Sequence, residues 1–191
     1  MRRCLPADRS GGGRVNAGKL IVGAIVIVSA IAGGFLWYTA ERAYYTPVAF
    51  QPGAEIRLVP LTSDQPEAII VNGIEGIDAD SSPIKFRACF TTPLTLATLT
   101  ETYREYPGAE PLIAPSGFDC FDAAAIGGAL EKGEALAFLS EPNITYGIDR
   151  VVAVMGDGRG FAWNQINACG KEVFEGRPAP EGCPPVPEGL K

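Results

Sequence analysis

The chain has 191 residues, a length typical of one compact domain with a short additional segment. Its formal net charge of -6 is unevenly distributed, because residues 1–19 carry +4, residues 20–40 carry no charge and the remainder carries -10. A domain this acidic repels the phosphate backbone, so the charge argues against nucleic acid as a partner.

Residues 20–40 predict a transmembrane helix. The run at 20–38 contains 19 uncharged residues, which as a helix would cross a hydrocarbon core of about 30 Å. Trp37 and Tyr38 stand at its end, where aromatic rings favour the membrane interface. Because the basic residues precede the run, residues 1–19 are predicted to be cytoplasmic and the rest of the chain to lie outside.

A cleaved signal peptide is the alternative interpretation of the same run. Cleavage requires small residues at two nearby positions, and bulky Tyr38 occupies the first of them before Ala40. The run is also longer than a usual signal-peptide core. These features favour an uncleaved anchor.

Residues 1–14 differ in composition from the rest of the chain, with a glycine run between Ser10 and Arg14. We consider Val15 as an alternative true start, in which case residues 1–14 are not native. The predicted topology is the same for either start, because Lys19 keeps the flank positive.

The predicted topology separates one cysteine from four. Cys4 lies on the cytoplasmic side, and four others lie on the oxidising side, which favours two disulfides. A zinc site is the alternative, but the chain has no CxxC pair and no histidine. Three pairings are possible; we favour Cys169–Cys183, which closes a short Gly/Pro-rich loop, together with Cys89–Cys120.

The residues after the anchor predict a stalk at 41–53, an α+β domain at 54–177 and a Pro-rich tail at 178–191 tied by a disulfide. Alternating or β-branched segments predict strands at 55–60, 67–71 and 84–90, and an apolar period near 3.6 predicts a helix at 93–106. A second helix is predicted at 121–132, capped by Asp119 or Asp122 and ended by Gly133. Strands are predicted at 135–139, 150–155 and 160–165, the last two forming a hairpin across the turn at 156–159.

This order of elements predicts an α+β fold. One N-terminal transmembrane helix is followed by a small domain with a mainly antiparallel sheet and two helices.

No residue pattern predicts a catalytic, cofactor-binding or metal site. The absence of histidine excludes Ser-His-Asp and Cys-His arrangements. The weak candidate polar cluster consists of Asp78, Asp80 and Asp119. Glu75 with Asp78 and Asp80 offers ligands for a hard cation such as calcium, but without EF-hand spacing. We therefore predict a protein that is not an enzyme and has no cofactor.

Three segments resemble a family of uncharacterised, membrane-anchored proteins of alphaproteobacteria: 77–92 (IDADSSPIKFRACFTT), 118–127 (FDCFDAAAIG) and 146–153 (YGIDRVVA). The resemblance extends from about Asn16 to the end of the chain. It implies a bacterial inner membrane, a periplasmic domain and a start near Asn16. Some family members are labelled histidine kinases, which this sequence contradicts because it has no histidine and no ATP-binding domain. The family supplies no activity.

Three hypotheses for function follow. The first is a non-enzymatic periplasmic interaction or assembly module, whose partners are the lipid bilayer and another membrane protein. The second is a small-ligand-binding or sensory domain. The third is a carboxylate-dependent hydrolase that uses the aspartates of the polar cluster.

Overall fold

The structure of the protein is a computed structural model that describes residues 17–39 and 44–190. It divides into two units, Met1–Ala40 and Glu41–Lys191. The predicted cytoplasmic segment before Ala17, the alternative start at Val15 and Cys4 lie outside the described residues.

The first unit contains a single described helix, α1, at Ala17–Tyr38. It has 22 residues, none of them buried, and it is long and apolar enough to cross a membrane. A signal sequence near an N-terminus can also meet these criteria of length and composition. The predicted apolar helix is therefore confirmed, and its role as a lasting anchor stays a prediction.

The second unit is an α+β domain with a mainly antiparallel sheet, as predicted. Its main sheet has six strands in the order β1-β4-β5-β8-β7-β6, and β2 and β3 form a separate hairpin. The strands are β1 Thr46–Pro47, β2 Arg57–Leu58, β3 Glu67–Ala68, β4 Asn72–Asp78, β5 Arg87–Thr91, β6 Ala135–Thr145, β7 Ile148–Met155 and β8 Arg159–Ile166. The helices are α2 Leu96–Thr102, α3 Ala123–Lys132 and α4 Ala168–Phe174, with a 3-10 turn at Glu188–Leu190. Strand β4 and helix α4 were not predicted, and β1 lies within the predicted stalk.

Both faces of the main sheet are buried, and each has its own core. The face covered by α2 and the β2–β3 hairpin, here called the α2 face, buries Phe86, Ala88, Phe90, Leu99, Phe138, Val152, Val154 and Ala162. The opposite face, here called the α3 face, buries Phe121, Ile126, Ala137, Val151, Ala153, Phe161 and Trp163. Because successive side chains of a strand point to opposite faces, a strand buried on both sides has a continuous apolar sequence. This explains the run VVAV at 151–154.

The predicted hairpin of β7 and β8 is confirmed, and so is the second helix. Asp122 is the N-cap of α3, since its Oδ1 accepts hydrogen bonds from the amides of Ala124 and Ala125 at 3.0 Å. Gly133 ends α3 in the left-handed region, at φ 71°. Of the two predicted caps, Asp119 is not the one used.

Helix α2 is shorter than the predicted helix at 93–106. Thr95 caps its start, and the chain is already extended at Tyr103. The extended residues lie between other segments of the domain: Tyr103 bridges to Pro60, and Glu105 bridges to Phe138 of β6. They cover the outer edge of β6, which is otherwise open to pairing with another chain.

Both favoured disulfides are present. Cys89–Cys120 joins β5 to the segment before α3, with Cα atoms 6.3 Å apart, and Cys169–Cys183 joins α4 to the tail, with Cα atoms 5.8 Å apart. The second disulfide ties the Pro-rich tail to the domain, as predicted.

Candidate functional site

A polar row crosses the α2 face of the sheet at one end of its core. In the register of the strands, Arg150 of β7 lies opposite Glu141 of β6 on one side and opposite Asn164 of β8 on the other. Extending the registers of β5 with β8 and of β4 with β5 by one residue places Phe86 and Asp78 in the same row. The adjacent row is fully apolar, so this row marks where the core meets solvent.

The guanidinium of Arg150 is held in a fixed position within this row. Its Cζ lies 3.9 Å from the centroid of the Phe86 ring, and its Nε donates to Oδ1 of Asn164 at 3.0 Å. Asn164 in turn donates from Nδ2 to the carbonyl oxygen of Pro83 at 2.7 Å. Burial lowers the pKa of Arg150, and the negative charges of Glu141 and Asp78 oppose that effect.

Two adjoining hollows, here together called the Arg150 cleft, open beside this guanidinium. They have volumes of about 470 Å³ and about 320 Å³, and both are lined by Arg150 and Asp78. Asp80, Pro83 and Ile144 are among the other residues of the first hollow. The second is lined by Val48, Ala49, Phe50, Gln51, Ala54, Glu55, Arg57, Phe86 and Glu141. The cleft therefore combines a positioned cation, several carboxylates and apolar walls, which suits binding.

The structure separates the residues of the predicted polar cluster. Asp78 and Asp80 both line the Arg150 cleft. Asp119 lies in another hollow with Phe118 and Phe121, and the Phe121 ring belongs to the core of the α3 face. The three aspartates therefore do not form one cluster.

The suggested cation site of Glu75, Asp78 and Asp80 is not assembled either. Glu75 pairs with Cys89 and lies beside the Cys89–Cys120 disulfide, with a carboxylate oxygen within 4.8 Å of both sulfurs. Asp78, three residues further along β4, faces the opposite side of the sheet. Disulfide-bonded sulfurs are not thiolate ligands, so the group formed by Glu75 and the two cysteines is not a metal site either.

A second arginine, Arg87, lies on the α3 face and is only 4% exposed. Its Nε donates to the carbonyl oxygen of Leu112 at 2.9 Å and its second terminal nitrogen to that of Ile113 at 3.3 Å. The first terminal nitrogen donates to the carbonyl oxygens of Ile84 at 2.8 Å and Phe86 at 2.6 Å. Burial lowers the pKa of Arg87 to about 10. Because the guanidinium donates four hydrogen bonds to neutral carbonyls, its role is structural.

Arg87 is one of three attachments that fix residues 107–122, here called the 107–122 loop. The Cys89–Cys120 disulfide is the second. The third is Gln165, whose Oε1 accepts from the amide of Glu110 at 2.8 Å and whose Nε2 donates to the carbonyl of Gly108 at 3.0 Å. Although its backbone is held so closely, the loop exposes 85% of Ile113.

The surroundings of this loop are acidic. Three hollows of about 330 to 420 Å³ lie along the loop, helix α3 and the start of β6. Their linings contain no lysine or arginine, within the part of the chain that the structure describes. Their charged residues are Glu105, Glu110, Asp119, Asp122 and Glu131.

A buried carboxylate, Asp149, ties the loop region to the turn between β6 and β7. Its Oδ2 accepts from the Tyr106 hydroxyl at 3.1 Å, and its Oδ1 accepts from the Asn143 amide and from Nδ2 of Asn167, both at 2.8 Å. Asn167 is also the N-cap of α4. Burial raises the pKa of Tyr106, and the charge of Asp149 raises it further.

We expect this tyrosine to lower stability at alkaline pH. Above pH 10 the unfolded chain releases the Tyr106 proton while the folded chain keeps it, so the free energy of unfolding falls as pH rises. Urea titrations between pH 7 and 11 should show a smaller decline for Tyr106→Phe than for the wild type. Burial lowers the pKa of Arg87, so this residue makes the free energy of unfolding rise with pH. Because Arg87 is present in both proteins, it does not affect their comparison. Equal declines in the two proteins would contradict the assignment.

Most of this domain matches the model of one protein family. The model described as Family of unknown function (DUF6446) matches residues 56–184, more than half of the chain. The chain belongs to this family. The predicted membership of an uncharacterised family is thereby confirmed. No curated protein and no solved structure gives a significant match to the chain.

The DUF6446 region begins after α1 and contains both disulfides, the 107–122 loop, Arg87 and Arg150. Neither arginine is recognisable from the sequence pattern as a functional or structural site. The available signal was a charged residue inside an apolar strand, in IKFRACF for Arg87 and at the start of RVVAVM for Arg150. A charge in such a strand is rarely buried without a specific partner.

Proposed function

We propose that the protein is a single-pass protein of the bacterial inner membrane whose periplasmic DUF6446 domain is a non-enzymatic interaction module. The charge asymmetry around α1 supports a cytoplasmic N-terminus and a periplasmic domain. The two disulfides support the same location, because disulfides persist in oxidising compartments. A non-enzymatic role is supported by the separation of Asp78 and Asp119, which cannot act as a carboxylate pair.

The observation that carries the proposal is the exposure of Ile113 on a rigid loop. The Ile113 side chain is 85% exposed, so most of its apolar surface would be removed from water only when a partner covers it. Because Arg87, Gln165 and the Cys89–Cys120 disulfide already hold the loop, little conformational entropy is lost on binding. In many interfaces a few residues that become fully buried in pockets of the partner dominate the binding energy.

The acidic surroundings indicate the chemistry of the partner. Ile113 itself lines the hollow that contains Asp119 and Asp122, and Glu105, Glu110 and Glu131 border the two other hollows along the loop and helix α3. None of the described lining residues is a lysine or arginine. A partner surface with basic residues around an apolar pocket would complement this region, and opposite charges would speed its association. We therefore propose a second membrane protein with a basic, partly apolar periplasmic surface as the partner.

Crosslinking in spheroplasts tests the proposal. A membrane-impermeant crosslinker should join the wild-type protein to one partner at a defined stoichiometry. Ile113→Asp should reduce the crosslinked product at least tenfold, because a buried charge in the contact costs several kcal/mol. Ile70→Asp is the matched control, since Ile70 is 63% exposed and is not part of the 107–122 loop.

Recovery of the protein alone would contradict the interaction role. A product unaffected by Ile113→Asp would show that the contact lies elsewhere. Crosslinking only after cell lysis would contradict the periplasmic location.

A further inference from the structure

The two arginines of the sheet differ in how much of their hydrogen-bonding capacity the protein uses. Arg87 donates from all three of its nitrogens to carbonyl oxygens. Arg150 donates only from Nε, to Asn164. Among the described residues, no carboxylate lies within 4.0 Å of Arg150 and no acceptor is bonded to its terminal nitrogens. A guanidinium removed from much of its water is thus left with an unused donor pair facing a cleft.

From this arrangement we propose that the Arg150 cleft binds a small zwitterion that carries a carboxylate and a protonated amine, of the size of a free amino acid. This inference is independent of the proposed interaction function. It concerns the α2 face, whereas Ile113 and its loop belong to the α3 face.

The carboxylate is assigned to the two terminal nitrogens of Arg150. A planar guanidinium donates two parallel hydrogen bonds to a carboxylate, and this pairing requires the guanidinium to be correctly oriented. The Phe86 ring beneath it and the bond to Asn164 supply that orientation before any ligand arrives. Burial removes favourable interactions between the charged guanidinium and water. A bound anion would replace them.

The protonated amine is assigned to the carboxylates across the cleft. Asp78 lines both hollows and Glu141 lines the second. Both lie close enough to act on the charge of Arg150, yet neither forms an ion pair with it within 4.0 Å. The cleft is also lined by Glu55, Asp80 and a second arginine, Arg57, so its four carboxylates outnumber its two arginines. A ligand carrying only negative charge, such as inorganic phosphate, would therefore be repelled by the cleft as a whole. A ligand with both charges can satisfy Arg150 and the acids together.

The dimensions of the cleft agree with a ligand of this size. Hollows of about 470 Å³ and about 320 Å³ fall within the range of small-molecule sites. Pro83 and Ile144 in the first hollow, with Val48 and Phe50 in the second, provide apolar surface for a ligand side chain.

Calorimetric titration of the full-length protein in detergent tests the proposal. Each of the twenty standard L-amino acids is titrated singly, with acetate, methylamine and inorganic phosphate as probes of each charge alone. We expect at least one amino acid to bind with 1:1 stoichiometry, at least tenfold more tightly than any of the three single-charge probes.

Variants assign the two charges. Arg150→Gln should weaken amino-acid binding at least tenfold, and Asp78→Asn should weaken the amino acid while leaving the affinity for acetate equal or higher. Arg104→Gln is the control, since Arg104 forms an exposed ion pair with Asp64. In case Arg150→Gln unfolds, the NMR signal of the Arg150 Nε–H in the wild type should shift on addition of the amino acid.

Three results would overturn the proposal. They are the absence of binding for all twenty amino acids, equal or tighter binding of acetate or phosphate, and an amino-acid affinity that neither Arg150→Gln nor Asp78→Asn changes.

Discussion

Reduction of the two disulfides is expected to remove most of the stability of the domain. In the chain-entropy model, closing the 31-residue separation of Cys89–Cys120 contributes about 4 kcal/mol, and the 14-residue separation of Cys169–Cys183 contributes about 3 kcal/mol. Their sum, roughly 7 kcal/mol, is comparable with the whole free energy of unfolding of a typical domain. Urea unfolding of the full-length protein in detergent, with and without dithiothreitol, measures the effect.

Paired substitutions separate the two contributions. The variant with Cys89→Ala and Cys120→Ala should lose more stability than the one with Cys169→Ala and Cys183→Ala, because its disulfide closes the longer loop. The protein with all four substitutions is the control for the reductant, and dithiothreitol should leave its urea midpoint unchanged. An unchanged midpoint for the reduced wild type would contradict the assignment of a stabilising role.

The disulfides also show how far the sequence allows structural prediction. The predicted membrane topology placed four cysteines on the oxidising side. The short Gly/Pro-rich segment between Cys169 and Cys183 then favoured the correct pairing. The β7–β8 hairpin was equally predictable, since two apolar runs flank a Gly-Asp-Gly turn. In both cases the information is local in sequence.

Strand β4 was missed because its sequence, NGIEGID, lacks the usual strand pattern. Its conformation depends on partners that are distant in the chain. A Cβ atom at Gly76 would lie 2.7 Å from the ring of Phe50, so the glycine there serves close packing. No turn or propensity rule reveals this contact, because Phe50 belongs to the segment predicted as a stalk.

The Arg150 cleft was unpredictable for the same reason. Asp78, Arg150 and Asn164 come from three strands, and only the register of the sheet places them in one row. The suggested cation site instead relied on nearness in sequence. It placed Glu75 with Asp78, although residues three positions apart on a strand face opposite sides of the sheet. Asp78 and Asp80 were identified, but the arginine that lines the same cleft was not.

Replacement of Arg87 by methionine is the second large effect that we expect, a loss of about 3 to 5 kcal/mol in the free energy of unfolding. Methionine fills a similar volume but donates no hydrogen bond, so the carbonyls of Ile84, Phe86, Leu112 and Ile113 lose their bonds to the guanidinium. Arg87→Lys should recover only part of the loss, because one ammonium cannot reach acceptors spread over two segments. Urea unfolding measures both variants.

Arg104→Met is the matched control for Arg87→Met. The Arg104 guanidinium pairs with Asp64 at 2.9 Å on the surface, where such pairs contribute about 1 kcal/mol or less. A loss for Arg87→Met no larger than that of this control would show that the four carbonyl bonds contribute little.

The loop gives a second, more specific test of Arg87. The amides of Glu110, Phe118 and Phe121 in this loop donate hydrogen bonds. Their hydrogen exchange should accelerate in Arg87→Met under conditions where the core strands stay protected. Because Arg87 and the Cys89–Cys120 disulfide fasten the same loop, combining their substitutions should cost less stability than the two separate losses added together. Full additivity would mean that the two attachments act on independent parts of the domain. In that case, Ile113 would owe its fixed position to only one of them.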